Sequence, residues 1–148
     1  MKTTRSFNLA RVLLLAALAA GLNASLASAQ DYKGTFTLPF EARWGAAVLP
    51  AGDYSFTVDP YSTVCIAKIS QGTRYLGMVM ATGRLEQETG GSSALTAVRS
   101  GGKYRITALR LAEDGVIFSY LPPKAERQQF MAQAPQLIRR VPVLMAAK

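Results

Sequence analysis

From Thr35 onward the chain alternates between apolar and polar residues with a period of two. Phe36, Leu38, Phe40, Ala42 and Trp44 fall on one side, and Thr35, Thr37, Pro39, Glu41 and Arg43 on the other. Successive side chains of a strand point to opposite faces, so this pattern predicts an antiparallel strand with one face buried and the other solvated. Pro39 has no N–H to give to a ladder, which places the strand at an edge or bends it at that point. The alternation resumes in Tyr54, Phe56 and Val58 against Asp53, Ser55, Thr57 and Asp59. Between the two runs, Leu49-Pro50-Ala51-Gly52 suits a type I turn, with proline pre-set at its second position and glycine free to take a positive φ, in a bulged hairpin.

Further strands are predicted along the rest of the chain. Thr63 to Ile69 is rich in β-branched and apolar residues, and Gln71-Gly72 turns the chain back. Arg74 to Thr82 is apolar on both faces, with Tyr75 and Val79 on one and Leu76, Met78 and Met80 on the other, which predicts a central strand. Gly83 to Ser93 is polar and holds Gly90-Gly91, so it reads as the longest exposed loop. Leu95 to Arg99, Tyr104 to Leu111 and Val116 to Leu121 follow, joined by Gly101-Gly102 and Asp114-Gly115, dipeptides suited to the positive φ angles of tight hairpins. Pro122-Pro123 ends the sheet, Lys124 to Ala134 suits a helical turn or two, and Gln136 to Lys148 reads as a tail that lies along an edge or docks elsewhere. The predicted class is all-β: a single antiparallel sandwich or small barrel of about seven to eight strands, with an irregular or short-helical C-terminal tail.

The start of the chain has a different character. Lys2, Arg5 and Arg11 precede an unbroken apolar run from Val12 to Leu22, and Ala27-Ser28-Ala29 offers small residues for cleavage. Charge, apolar run and A-x-A in that order form a signal-peptide pattern. The run is about half of the roughly 20 residues that cross a bilayer. Cleavage after Ala29, directed by Ala27 and Ala29, makes Gln30 the mature terminus. The chain thus divides into a signal at 1–29, an all-β domain at 30–121 and a tail at 122–148, with no transmembrane helix after signal removal. A secreted or periplasmic location follows.

Removing the signal changes the composition. The net charge falls from +8 to +5, with five lysines and nine arginines against nine acids, and both asparagines, Asn8 and Asn23, go with it, including the Asn23-Ala24-Ser25 glycosylation match. A mild positive charge favours anionic surfaces in general. Histidine is absent throughout, which excludes Ser-His-Asp and Cys-His catalysis and the usual His-containing zinc site. Cys65 is the single cysteine, so no intramolecular disulfide and no C-x-x-C motif exists. Its apolar setting, Val64-Cys65-Ile66-Ala67, predicts a small buried hydrophobe.

No residue constellation points to chemistry. Glu41, Asp53 and Asp59 fall on the solvent face of the first hairpin, Glu86 and Glu88 sit in the long loop, and Ser100 and Lys103 flank an exposed turn. No catalytic residue, cofactor or metal is expected, and the chain reads as a non-enzyme. The arginines Arg74, Arg84, Arg99, Arg105 and Arg110, together with Tyr32, Tyr61, Tyr75, Tyr104 and Tyr120 in or near the ends of strands, are candidates for an anion-binding surface, and a solvated outer sheet face explains the same residues.

The segment Phe36-Thr37-Leu38-Pro39-Phe40, followed by Leu49-Pro50-Ala51-Gly52-Asp53-Tyr54-Ser55-Phe56, resembles a group of small secreted bacterial β-proteins of unknown function that share a P-F…L-P-A-G-x-Y hairpin motif. The resemblance implies an extracytoplasmic β domain and brings no catalytic residues with it. The expected function is binding or structural, at the bacterial cell envelope, with an envelope protein, glycan or lipid as partner and no specific nucleic acid. Two alternatives are a lipid carrier with a barrel cavity and a basic module for anionic glycan or lipid.

Overall fold

The computed structural model describes residues 31–59, 62, 64–122, 124–132 and 137–146, without the side chains of 129–131. Ala27, Ala29 and Gln30 lie outside the described residues. The fold is all-β, built from β1 (Tyr32–Leu38), β2 (Ala42–Trp44), β3 (Ala47–Leu49), β4 (Gly52–Val58), β5 (Ile66–Gln71), β6 (Arg74–Met80), β7 (Gly83–Glu86), β8 (Ala94–Ser100), β9 (Lys103–Leu111), β10 (Val116–Ser119) and β11 (Leu137–Met145). One helix, α1 (Lys124–Ala132), precedes the last strand.

These strands form a single sheet in the order β3-β2-β9-β8-β11-β1-β4-β5-β6, and β3 touches β6, so the sheet curls into a nearly closed barrel. β9 serves two neighbours along one edge. Its start pairs with β2 in parallel, and its end pairs with β10, which in turn holds β7.

The alternation from Thr35 to Trp44 places its side chains as expected: Phe36, Leu38, Ala42 and Trp44 are buried, and Phe40 is half-buried. Yet the strand breaks at Pro39-Phe40. β1 lies between β11 and β4, so Pro39 bends the chain and does not mark an edge. β1 pairs directly with β4, from Tyr32↔Val58 to Leu38↔Gly52, and the connection between them carries its own small hairpin, β2–β3, turned at Gly45 with φ 61°. The Leu49 to Gly52 turn therefore leads into β4 and does not itself join two paired strands. The Tyr54 hydroxyl donates to the Pro50 carbonyl at 2.7 Å, which ties the tyrosine of the L-P-A-G-x-Y segment to its own turn.

Three other expectations change. β6 ends the path of paired strands, and Tyr75, Met78 and Met80 are exposed. A bulge opposite Ile69 and Ser70 leaves Leu76 without a partner, because Ser70 faces Tyr75 and Ile69 faces Gly77. That extra residue shifts the phase of the strand and brings Leu76 to the core beside Val79. The expected loop at Gly83 to Ser93 begins as strand β7, all four of whose residues are exposed. The C-terminal tail contains the expected short helix, and then β11, a full strand between β8 and β1. Only its second half alternates visibly, with Val141 and Val143 buried against exposed Pro142 and Leu144. Pro142 sits opposite Ala94.

Aromatic rings fill the interior. Phe36 contacts Trp44, Tyr54 and Phe56 with centroids 5.8, 5.5 and 6.1 Å away, and Trp44 meets Tyr120 edge-on at 5.2 Å. Such offset and edge-on arrangements suit the ring quadrupoles. Cys65 is half-buried against this core, more exposed than its apolar neighbours suggested.

Candidate functional site

Gly101 and Gly102 both take positive φ, 58° and 81°, and so close the β8–β9 hairpin in the tight turn that the sequence predicts. That turn sets Arg99 directly opposite Tyr104. Tyr104 also faces Ala42 across the parallel pairing with β2. Phe40, delivered by the break after Pro39, stacks on Tyr104 with centroids 4.0 Å apart and planes at 24°.

Two guanidinium groups stand against this ring pair. Arg99 lies 5.8 Å from the Tyr104 centroid, and Arg139, on β11, lies 5.8 Å from Phe40 and 6.0 Å from Tyr104. Near-equal distances to two stacked rings put the Arg139 guanidinium beside the stack and not over one face. Cation–π attraction is weaker there than over a ring face. Both arginines are exposed, and the ion pairs found among the described residues involve neither.

The adjoining recess, about 300 Å³, is lined by Phe40, Tyr104, Glu41, Arg43, Val48 and Lys103 among others. Arg43 connects it to a second group of charges. β2 and β9 place Arg43 directly opposite Arg105, and Glu126 of α1 accepts from both, at 3.3 Å from Arg43 and in a short contact with Arg105. Arg105 is the more enclosed, its side chain 12% exposed against 39% for Arg43. Its Nη1 is buried with no hydrogen-bond partner.

The five arginines singled out in the sequence do not share one surface. Arg99 belongs to the aromatic cluster and Arg105 lies beside Glu126. Arg110, near the far end of β9, donates to the Gly90 carbonyl at 2.9 Å. Arg74 opens β6 opposite Gln71, and Arg84 on β7 faces Phe118. The structure instead joins Arg99 with Arg139 at the Phe40–Tyr104 stack and Arg105 with Arg43 at Glu126, while Arg43 and Lys103 line the recess beside the stack. Arg139 and Phe40 escape a reading by sequence because their approach depends on β11 entering the sheet and on the break after Pro39.

A second recess, about 560 Å³, runs over β1, β4 and β11 and is lined by Thr35, Thr37, Asp53, Ser55, Pro142 and Leu144 among others. There the Thr37 hydroxyl donates to Asp53 at 2.6 Å. Among the described residues no cluster of three or more Cys, Asp or Glu is placed to hold a metal ion, and no helix is long and apolar enough to cross a membrane.

Comparison with protein-family models, with curated proteins and with solved structures finds no significant match.

Proposed function

We propose that this chain is an exported β-barrel domain that acts by binding, at the bacterial cell envelope, through the basic and aromatic end formed by Phe40, Arg99, Tyr104 and Arg139. The observation that carries this reading is the pair of exposed guanidiniums at one ring stack without a carboxylate partner among the described residues. Charge left uncompensated at a concave, ring-lined end attracts anions and gives them a surface to lie against. The signal-like start supports a partner outside the cytoplasm, so acidic glycans and anionic lipid headgroups are the classes to test.

The packed interior favours surface binding over carriage of a lipid inside the barrel. Trp44, Leu49, Ile69, Leu109 and Phe118 are fully buried and occupy the space that a carried ligand would need. Two carboxylates lie near the basic end: Glu126 is held between two arginines, and Glu41 lines the recess.

The test is retention of the purified mature protein on immobilised heparin and on vesicles rich in phosphatidylglycerol, at rising salt. Retention that weakens steeply with salt supports the proposal. Failure to bind either support, or salt-independent retention, removes it. Amino-terminal sequencing of protein from its own host tests export, with Gln30 as the expected first residue.

A further inference from the structure

Arg43 and Arg105 face each other across two parallel strands, and like charges directly opposite on a sheet repel. One carboxylate serves both. Glu126 brings a single negative charge and two oxygens to two guanidiniums, and the buried Nη1 of Arg105 is left over. The charge and the donors at this point exceed what α1 supplies.

From this mismatch we infer that the Arg43–Arg105 pair is a phosphate site, held in the present state by Glu126 as an internal substitute, and that a phosphate monoester enters by displacing that carboxylate. The inference rests on reading this end of the barrel as an anion-binding surface. A phosphate carries close to two negative charges and three terminal oxygens, so it matches two guanidiniums in charge and offers one more acceptor than a carboxylate. Access is graded in the right order. Arg43 and Lys103 line the 300 Å³ recess together with one carboxylate, Glu41, so an incoming phosphate meets two cations and one acid there before it reaches Arg105. Arg105, largely covered, becomes available once Glu126 leaves. The rest of the ligand then lies in the recess against Phe40 and Tyr104. No covalent step is involved; one anion replaces another.

Calorimetric titration of the mature protein with inorganic phosphate, at constant ionic strength held with chloride, tests this directly. Glu126→Gln keeps the side-chain shape and removes the competing charge, and it is expected to tighten phosphate binding at least threefold. Adding Arg43→Gln to that variant is expected to abolish the gain. Unchanged or weaker phosphate binding in Glu126→Gln overturns the inference, even if heparin and anionic vesicles still bind the wild-type protein. Conversely, tightening in Glu126→Gln together with heparin retention that ignores Arg99 and Arg139 sustains this site and removes the broader reading. If Glu126→Gln does not fold, thermal unfolding of wild type and Arg43→Gln with phosphate replacing chloride decides: stabilisation in wild type and its loss in the variant support the site, and equal shifts overturn it. Vesicles containing phosphatidic acid and a soluble sugar phosphate, at equal phosphate concentration, separate the two sources of the group. Tighter binding to the vesicles assigns a lipid headgroup, and tighter binding to the sugar phosphate assigns a soluble ester.

Discussion

Arg43 and Arg105 occupy directly opposed positions on the parallel strands β2 and β9, and the carboxylate of Glu126 lies between their guanidinium groups. The barrel thus brings two positive charges together at the start of β9, and α1 supplies one carboxylate to offset them in part. Without Glu126 the repulsion acts across a pairing that spans only two residue pairs, Ala42↔Tyr104 and Arg43↔Arg105.

Glu126→Gln is therefore expected to lower stability by about 1 kcal/mol, a figure kept small because Arg43 and Glu126 are both well exposed to solvent. The loss should shrink as salt is added. Urea unfolding at low and high ionic strength measures it, and an equal loss at both would show that charge repulsion is not the cause.

The hydroxyl of Tyr120 is buried with no hydrogen-bond partner, and burial pushes its ionisation well above the usual phenol range, with Cys65 adding to the rise. The unfolded chain releases this proton from about pH 10 upward, while the folded chain keeps it. The unfolded state then binds fewer protons, so stability contributed by the protonated phenol falls as pH rises above 10. Tyr120→Phe removes both the orphan hydroxyl and this alkaline loss. The variant is expected to match or exceed wild type by about 1 kcal/mol at neutral pH, and to hold its stability better at pH 11. Identical alkaline unfolding curves would rule this out.

The fold class and much of the core were legible because strand periodicity survives wherever one face is buried. Phe36, Leu38, Trp44, Tyr54, Phe56 and Val58 all follow it inward. It failed at β6, where a bulge at Leu76 changes the phase, and at β11, whose first four residues are all exposed. The basic end was only half legible. Arg99 and Tyr104 share a hairpin whose glycine turn can be read directly, but Arg139 and Phe40 reach them through β11 and through the β1 break. Long-range pairing carries no local signal of that kind.

β11 fills the gap between β8 and β1, pairing with Arg99 to Ala94 on one side and with Gly34 to Phe36 on the other. A chain ending at Gln136 leaves β8 and β1 each unpaired on one side and uncovers the core where Val141 and Val143 pack. Such a truncation is expected to abolish cooperative unfolding, as followed by near-ultraviolet circular dichroism. A sharp transition close to that of the full chain would return this segment to the status of a dispensable tail.

Gly45 turns the β2–β3 hairpin with φ 61°, and a Cβ there would lie 2.8 Å from Cγ1 of Val79 on β6. Gly45→Ala combines left-handed strain with a clash across the line where β3 meets β6. A loss of about 1 to 3 kcal/mol is expected. Pairing the substitution with Val79→Ala should relieve the clash and leave the strain, so a double variant no better than the sum of its parts would argue against contact at this closure.

Anion binding through Arg99 and Arg139 at the Phe40–Tyr104 stack is tested by the salt dependence of heparin binding in wild type and in the double variant Arg99→Gln, Arg139→Gln. Both side chains are exposed, so the variant should fold normally, with an unfolding midpoint near that of wild type. Weaker binding is expected, with a log–log salt slope smaller by about two, one for each cation removed. Unchanged affinity and slope in a folded variant would show that these two arginines do not hold the anion.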